Sequence, residues 1–434
     1  MAGNLLYRLF IYSYSVGVRL VAFGSPKARQ WIAGRKKFPF LPDNSQKTIW
    51  MHCASLGEFE QGRPLLENIK IQFPRYKIVL TFFSPSGYEI MKDYNGADYI
   101  FYLPMDSKSN AKKMIDAINP CLVLWVKYEF WFYYLTQLKK KNIPVLMVSG
   151  LFRQSQPFFK WYGGIWIKML QSFTYIFVQN EASKELLVTA GVKDKVVVGG
   201  DTRFDRVITI ASQFEPIPII EKFCGNSKVI VAGSTWEDDE AELIHYVRNH
   251  PEIKFIIAPH EVDAGNLQDV KKEFTGAVFY SELVGGRQMT DDLQPTAEKG
   301  TTSTNDSLSP KSHVLIIDNI GMLSKLYHYA HITYIGGGFG EDGIHNVLEP
   351  AVYGKPVIYG PVYEKFAEAV ELVNCGAGIT ISNALELENV LDELWADTAL
   401  LSAKSEAAKK YVYSKAGATQ KVTAYIHEKR LLTN

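Results

Sequence analysis

Three features are scarce in this sequence of 434 residues, and each absence excludes a class of protein. The formal net charge is only +1, from 47 basic and 46 acidic side chains, so no overall positive field favours a nucleic acid as partner. The four cysteines, Cys53, Cys121, Cys224 and Cys375, have no C-x-x-C spacing. Four cysteines scattered in this way favour reduced, structural thiols in the cytosol over a disulfide framework.

The third absence is a long uninterrupted apolar run. The segment LLYRLFIYSYSVGVRLVAFG is apolar, but Arg8 and Arg19 leave only ten uncharged residues between them, whereas a span across a bilayer needs ~20. Both arginines fall on one helix face. A basic segment follows, with Lys27, Arg29, Arg35, Lys36 and Lys37. The pattern predicts a helix in an anionic membrane interface over residues 1–32. Two alternatives stay open: an amphipathic helix packed on the protein's own core, and a signal peptide, although no small-x-small cleavage site follows.

Apolar runs alternate with helical patterns along the rest of the chain. One series contains TIWMHCA, KIVLTFF, CLVLWV and IPVLMVSG, and a second contains KVIVAGS, KFIIAPH, ITYIGGG and KPVIYG. Such runs predict parallel sheets covered by helices on both faces, and therefore an α/β protein with two doubly wound, Rossmann-like domains. We place these domains at residues 33–208 and 209–434, because the strand spacing lapses between them. The polar stretch 284–312 is expected to be a surface loop.

Doubly wound sheets bind ligands at the carboxyl ends of their strands, and polar residues follow the predicted strands of both domains. In the first domain, Glu58 follows TIWMHCA at the start of a helical pattern. A glutamate in a first helical turn is often only a partner of the helix dipole, so a structural and a functional interpretation of Glu58 are both open at this point.

In the second domain, the segment GGGFGEDGIHNVLEPAVYG is the most informative. Its first three residues are Gly336, Gly337 and Gly338. They let backbone N–H groups approach a phosphate, while Glu341 replaces the third glycine of a dinucleotide fingerprint. A helix beginning near Asn346 is expected to direct Glu349 to the same place, where a carboxylate suits the hydroxyls of a ribose. His345 and Glu349 are alternatively metal ligands, although the sequence suggests no third ligand nearby.

The motifs SLGE, YEFW, VQNE, GDTRFD, AGST and GGG, followed by GIHNVLEPAVYGKPVIYGP, resemble those of the Kdo transferases of lipopolysaccharide synthesis. The resemblance extends over nearly the whole chain. It implies a GT-B fold with an interdomain cleft, and inverting transfer of 3-deoxy-manno-octulosonic acid (Kdo) from CMP-Kdo to a lipid A precursor of the lipid IVA type. No metal at the catalytic centre and no cofactor are implied. The glutamate of Ser-x-Gly-Glu, here Glu58, would be the catalytic base, since an inverting displacement needs a carboxylate to accept the proton of the acceptor hydroxyl.

The resemblance and the strand ends together give the substrate-binding candidates. In the first domain these are Ser55, Gly57, Lys127, Glu129 and Arg203. In the second domain these are Ser234, Thr235, His260, Gly336, Gly337, Gly338, Asn346, Glu349 and Lys365. Two of them, Ser234 and Thr235, are expected to donate hydrogen bonds to the phosphate of the departing CMP.

Two positions depart from the family pattern. Lys127 replaces the first glutamate of a Glu-x-Glu-x-Trp motif, and a lysine there suits the sugar carboxylate or a phosphate of the acceptor. Ala258-Pro259-His260 replaces Pro-Arg-His, so the arginine expected to meet the CMP phosphate is missing. Arg203 or Lys365 is the expected substitute.

The expected partners are CMP-Kdo, a lipid A precursor and an anionic membrane surface, and the expected location is the cytoplasmic face of the inner membrane. The segment PFFKWYGGIWIK, residues 157–168, interleaves aromatic rings with lysines; it either meets that membrane or forms a buried helix. Two other functions stay open: another GT-B envelope transferase using a UDP-sugar, and a noncatalytic membrane-bound sensor of nucleotide sugars.

Overall fold

The computed structural model describes residues 2–41, 46–127, 129–285 and 312–433. The chain divides into two compact units: unit 1 comprises Met1–Arg206 and Lys415–Asn434, and unit 2 comprises Val207–Ser414. Most of the polar stretch for which a surface loop is expected, residues 286–311, lies outside the described residues.

Unit 1 is built on a seven-stranded parallel sheet. Its strands are β1 Thr48–Cys53, β2 Lys77–Phe82, β3 Tyr99–Tyr102, β4 Pro120–Val126, β5 Val145–Gly150, β6 Tyr175–Val178 and β7 Val196–Val198. The order is β3-β2-β1-β4-β5-β6-β7, and all neighbours are parallel. The strand order reverses between β1 and β4, which makes their carboxyl ends the topological switch point.

Helices cover both faces of this sheet because successive strand residues point to opposite sides. The helices are α1 Ala2–Val21, α2 Pro26–Gly34, α3 Leu56–Gln72, α4 Pro85–Met91, α5 Lys108–Ile118, α6 Phe132–Lys140, α7 Gly164–Leu170 and α8 Glu181–Thr189, and α9 Thr202–Ser212 begins in unit 1 and ends in unit 2. In β1, Trp50 enters the core cluster that contains α5 and α6, whereas Ile49 and Met51 enter the cluster that contains α3.

Unit 2 has a second seven-stranded parallel sheet. Its strands are β8 Val229–Thr235, β9 Lys254–Pro259, β10 Val278–Phe279, β11 Val314–Ile316, β12 Ile332–Ile335, β13 Val357–Tyr359 and β14 Gly378–Thr380. The order is β10-β11-β9-β8-β12-β13-β14, with the switch point between β8 and β12. The predicted α/β class with two doubly wound sheets is therefore confirmed, although β10 and β14, each of three residues or fewer, were not predicted.

The remaining helices include one that returns to unit 1. In unit 2 they are α10 Pro218–Cys224, α11 Glu237–Asn249, α12 Ala264–Glu273, α13 Tyr280–Leu283, α14 Leu323–Leu326, α15 Leu348–Val352, α16 Ala367–Asn374, α17 Ala384–Ala396 and α18 Thr398–Ser414. The last helix, α19 Ala418–Glu428, buries Val422 and Ile426 in the unit 1 core, and its Tyr425 ring stacks on Tyr175 at 4.3 Å. Residues 415–433, which the sequence places in the second domain, therefore belong to the first unit.

Candidate functional site

The candidate residues follow strands that pair at the two switch points. In unit 1, Glu58 follows β1 and Glu129 follows β4, and these strands are hydrogen-bonded neighbours. In unit 2, Ser234 lies at the end of β8 and the glycine segment follows β12, its direct neighbour. Each unit thus places its candidates where doubly wound sheets bind ligands.

Glu58 lies in the first turn of α3. Ser55 is the N-cap residue, with an extended backbone (φ −142°, ψ 176°), and its hydroxyl accepts from the Glu58 N–H at 3.5 Å. The Glu58 carboxylate accepts a hydrogen bond from the Ala54 N–H at 2.5 Å. This contact and the helix dipole favour the ionised carboxylate, the form in which it accepts a proton. Gly57 is exposed beside it, and a side chain there would meet nothing within 4 Å.

Glu129 lies close to the same strand end. Its carboxylate accepts from the indole N–H of Trp131 at 2.5 Å and lies 3.4 Å from Nε2 of His52, a fully buried residue of β1. Burial raises the pKa of the Cys53 thiol well above its usual range, and the negative charges of Glu58 and Glu129 raise it further. Both carboxylates are therefore within electrostatic reach of the tip of β1.

The two basic candidates of unit 1 differ in their surroundings. Lys127 has a left-handed backbone (φ 55°) at the end of β4, a strained conformation that is common at functional sites. Arg203 donates through its guanidinium to the Asp201 carboxylate at 2.9 and 2.8 Å. Asp201 therefore offsets part of the charge of Arg203 in this structure, and the contact of Arg203 with a phosphate stays a prediction.

Asp106, which the sequence analysis did not select, fixes the start of α6 directly after the Glu129 loop. Its carboxylate accepts from the N–H groups of Tyr133 and Tyr134 at 2.9 and 3.1 Å, and from the Tyr7 hydroxyl at 2.6 Å. Burial raises the pKa of Asp106 to about 6. Since Tyr7 belongs to α1, the N-terminal helix is bonded to the segment that carries a candidate ligand. No sequence signal links these residues, which are far apart in the chain.

Unit 2 has a cavity of about 270 Å³ whose lining includes Ser234, Ser324, Tyr327, His345, Asn346 and Glu349. It brings together three of the predicted residues, Ser234, Asn346 and Glu349. The Asn346 amide donates to the Glu349 carboxylate at 3.0 Å, and its Oδ1 accepts from the Leu348 N–H at 3.1 Å. The asparagine thus orients the glutamate at the start of α15. Hydroxyls and a carboxylate around a small cavity suit a sugar or a phosphate.

The glycines after β12 are needed first for backbone packing. A side chain on Gly336 would meet the Ser234 carbonyl oxygen at 2.2 Å, and one on Gly338 would meet the Gly360 nitrogen at 2.5 Å. Gly337 has a positive φ of 89°, and its N–H donates to the Asp239 carboxylate at 2.7 Å. The hydrogen bonding of Gly337 is therefore directed to a buried side chain, and not to a phosphate as expected.

Asp239 and Glu240, in the run WEDDE, are buried carboxylates that are not among the predicted site residues. Asp239 also accepts from the Trp236 N–H at 3.0 Å and the Tyr334 hydroxyl at 2.8 Å, and burial raises its pKa. Glu240 accepts from the Thr235 hydroxyl at 2.7 Å, and burial raises its pKa to about 7. Since Thr235 is itself buried, its hydroxyl points to the interior, and Ser234 is the stronger candidate of the pair.

His260 belongs to a cluster of three rings. It stacks on Trp236 at 4.5 Å and on His345 at 4.4 Å, and the Trp236 indole donates to Nε2 of His345 at 3.1 Å. Burial lowers the pKa of His345 to about 4, so this ring is neutral near pH 7 and carries its proton on Nδ1. In the described ranges, no three His, Cys, Asp or Glu side chains are grouped as metal ligands would be.

Lys365 lies beside the glycine-rich segment of unit 2. Its ammonium donates to the Glu341 carbonyl oxygen at 2.7 Å, and a side chain on Gly343 would meet its Cε at 2.8 Å. A cation therefore lies next to the loop after β12, where a substitute for the missing phosphate-binding arginine is expected.

The N-terminal helix exposes apolar side chains. Leu5, Leu9, Leu20 and Val21 are 58–69% exposed, whereas Ile11 is buried. Arg8 and Arg19 are exposed on the same helix. In the part of the chain that the structure describes, no helix has both the length and the apolar character needed to cross a membrane.

Arg35 differs from the rest of the basic segment. Its guanidinium donates to the carbonyl oxygens of Leu103, Trp31 and Phe83 at 2.9, 3.1 and 2.6 Å. Burial lowers its pKa to about 10. The sequence predicts that Arg35 faces an anionic membrane, but its side chain instead joins α2 to the loops after β2 and β3.

Solved structures share this architecture. A UDP-GlcNAc 2-epimerase from Neisseria meningitidis, determined with UDP-GlcNAc, has a TM-score of 0.59 at 16% identity and covers 88% of this chain and 100% of its own. A glycosyltransferase from Rickettsia africae ESF-5 has a TM-score of 0.54 at 17% identity, with coverages of 90% and 100%. At these identities the similarity shows the fold alone, which is GT-B.

Sequence relatives are more specific. The 3-deoxy-D-manno-octulosonic acid transferase of Aquifex aeolicus is 27% identical over 369 residues, 82% of this chain and 89% of that protein. Its Haemophilus influenzae namesake is 24% identical over 403 residues, 89% and 87% of the two chains. A bifunctional glycosyltransferase/methyltransferase of Fusobacterium nucleatum is 27% identical over 384 residues, 86% of this chain, which spans only 56% of that protein. A family model described as 3-Deoxy-D-manno-octulosonic-acid transferase (kdotransferase) matches residues 30–206. Together these matches show a glycosyltransferase that is similar to Kdo transferases over most of the chain, with a Kdo transferase domain at residues 30–206.

Proposed function

We propose that this protein transfers Kdo from CMP-Kdo to a lipid A precursor of the lipid IVA type, with inversion at the anomeric carbon. One observation carries the proposal: Glu58 lies at the switch point of unit 1, within the segment matched to the family, and its carboxylate is held by the Ala54 N–H at the start of α3. A carboxylate fixed in its ionised form at a strand end is what a transferase needs as a general base.

The reaction balances with one proton transfer and one displacement. Glu58 accepts the proton of an acceptor hydroxyl while that oxygen bonds to the anomeric carbon of Kdo from the face opposite the phosphate. The bond between the anomeric carbon and the phosphate oxygen breaks, and CMP leaves with the electron pair. Glu129 and Lys127, at the neighbouring strand end, are the candidates for orienting the acceptor and for meeting one of its phosphates.

Unit 2 supplies the candidates for the nucleotide. Glu349, oriented by Asn346, would accept hydrogen bonds from the ribose hydroxyls. Ser234, at the end of β8, and Lys365, beside the glycine-rich segment, would stabilise the negative charge on the departing phosphate. His345 lines the same cavity, and because it is neutral near pH 7 it adds no charge there.

The proposal includes a membrane surface on the cytoplasmic side of the inner membrane, because an acylated acceptor stays in the bilayer. The exposed leucines of α1, together with Arg8 and Arg19, are the supporting feature. Apolar side chains enter the headgroup region while the arginines meet anionic lipids, each adding ~1 kcal/mol.

Product analysis tests the proposal. The purified chain is incubated with CMP-Kdo and a tetraacylated lipid A precursor, and the expected result is an acceptor heavier by one or more Kdo residues in mass spectrometry. Thermal shifts with CMP and with UDP, each at the same concentration, are the control for the nucleotide: CMP should stabilise the protein more. Stabilisation by UDP alone, with no Kdo transferred, would replace the proposal with a UDP-sugar transferase.

A further inference from the structure

Unit 1 contains a larger cavity, of about 870 Å³, that the reaction described above does not use. It is lined by α1, by the loop after β4 and by the segment that begins α7, with Tyr7, Phe130, Trp131, Trp166 and Lys168 among the lining residues. We propose that this cavity binds one acyl chain of the lipid acceptor, with a phosphate of the same lipid near Lys168. The identity of that lipid rests on the proposed function.

The inner wall presents rings and few free polar atoms to an occupant. The Tyr7 hydroxyl donates to Asp106 and accepts from the Phe132 N–H at 3.1 Å, so an occupant of the cavity would contact the Tyr7 ring and not a free hydroxyl. The indole N–H of Trp131 is bonded to Glu129. Phe130 packs on Phe158 at 4.5 Å, with the domain core behind both. Because these polar atoms already have partners in the protein, the wall favours an apolar occupant.

The connection to Glu129 argues for the acceptor lipid over other apolar ligands. Trp131 forms part of the cavity wall and at the same time bonds to Glu129 at the strand end proposed to hold the acceptor. An acyl chain that lies against Trp131 would therefore bring its own head group near the Glu129 carboxylate. Among the described residues of the lining, Lys168 is the one with a charged side chain, and it is exposed, as a partner for an anionic head group requires.

The size of the cavity favours an acyl chain, and not a protein surface, as its occupant. A volume of about 870 Å³ lies within the range of pockets that enclose small molecules, whereas a protein partner needs roughly 800 Å² of surface on each side. Leu6 and Phe10 of α1 line the cavity and are 66% and 58% exposed, so apolar side chains of this helix extend from the cavity to the protein surface.

Gly164 gives a direct test because it lines the cavity and a side chain there would meet nothing within 4 Å. Gly164→Leu fills the space from the first residue of α7, and leucine is a better helix former than glycine, so the fold is expected to persist. Gly24→Leu is the matched control: it adds the same side chain at an exposed glycine outside the cavity, also with nothing within 4 Å. Lys168→Glu, at an exposed position, tests the phosphate contact separately.

Two acceptors separate binding of the acyl chain from binding of the sugar. They are a tetraacylated lipid A precursor and the same phosphorylated disaccharide with its acyl chains removed, both in detergent micelles of fixed composition. We expect Gly164→Leu to raise the KM for the acylated acceptor about tenfold and to leave that for the acyl-free one unchanged, with Gly24→Leu like the wild type. Lys168→Glu should raise KM for both phosphorylated acceptors. An unchanged KM in Gly164→Leu, or an equal rise for both acceptors, would overturn the assignment.

A binding measurement does not depend on catalysis. Phosphatidic acid with brominated acyl chains, below its micelle concentration, should quench tryptophan fluorescence of the wild type and of Gly24→Leu, because Trp131, Trp161 and Trp166 line the cavity. Gly164→Leu should lose this quenching. Equal quenching in all three proteins would place the acyl chain outside the cavity and refute the proposed site. Quenching as predicted, with no Kdo transferred to any acceptor, would refute the proposed function and leave a lipid-chain site.

Discussion

Replacing Glu58 with glutamine separates its catalytic role from its structural one. The carboxylate accepts from the Ala54 N–H at 2.5 Å, and a glutamine amide oxygen accepts the same bond. What is lost is the negative charge at the start of α3, worth ~0.3 to 1 kcal/mol. The free energy of unfolding should therefore fall by no more than about 1 kcal/mol.

The expected effect on catalysis is much larger. A general base contributes ~10² to 10⁴ in turnover, which corresponds to about 2.7 to 5.5 kcal/mol of activation free energy. Kdo transfer is measured by mass spectrometry at saturating CMP-Kdo, CMP affinity by calorimetry, and stability by thermal unfolding of the same preparations. We expect Glu58→Gln to lose turnover while CMP affinity and the unfolding temperature stay near the wild-type values.

Glu60→Gln is the matched control, since it removes the same charge two residues further along α3. The Glu60 carboxylate pairs with Arg63 at 3.4 Å and with Arg206 at 3.1 Å, and its turnover should remain near that of the wild type. Near-normal turnover in Glu58→Gln would show that Glu58 only begins a helix. Equal losses in the two variants would mean that charge on α3, and not a base at Glu58, is what the enzyme needs.

Three further predictions concern the nucleotide, the pH dependence and the membrane. Glu349→Ala should weaken CMP binding by ~1.5 to 3 kcal/mol with little change in unfolding temperature, and an unchanged affinity in calorimetry would refute the ribose contact. Burial raises the pKa of Asp106 to about 6, above the ~3.9 of an unfolded carboxyl group, so the native state binds more protons and this residue's stabilisation falls as the pH rises from ~4 to 6. Urea unfolding of the wild type and Asp106→Asn should therefore show a stability difference that shrinks over this range, and a constant difference would contradict the raised pKa. Replacing the exposed Leu5, Leu9 and Leu20 with serine should abolish flotation with anionic vesicles without unfolding the protein, and undiminished flotation would move the membrane contact away from α1.

Most of the two sheets could be predicted because buried parallel strands are continuous apolar runs. β10 and β14 were missed since Val278–Phe279 and Gly378–Thr380 are too short to show any periodicity. Glu58 could be singled out because an ionisable group directly after such a run is unusual, and its position at the switch point followed from the order of the strands. The return of α19 to unit 1 has no local signature, because Val422 and Ile426 find their partners far away in sequence.

Hydrogen bonds and ion pairs within the protein explain where the structure differs from the expected contacts at the site. Thr235 looks like a phosphate donor until its hydroxyl is seen bonded to Glu240, and the Gly337 N–H looks equally suitable until Asp239 accepts from it. From the sequence alone, the charge of Arg203 is expected to meet a ligand and that of Arg35 a membrane. In the structure, Arg203 donates to the Asp201 carboxylate and Arg35 donates to three backbone carbonyl oxygens. Burial and pairing decide the role of each group, and neither is visible in composition.

In both units, a buried carboxylate accepts hydrogen bonds from the backbone of a segment next to the candidate site. Asp106 bonds the N–H groups of Tyr133 and Tyr134 where α6 begins, directly after Glu129. Asp239 bonds the Gly337 N–H in the loop after β12. Burying a carboxylate is costly unless it is hydrogen-bonded, and each of these residues accepts three or more bonds. These hydrogen bonds hold the loops that bear candidate ligands in place before any substrate binds, and such preorganisation maintains the geometry of a site.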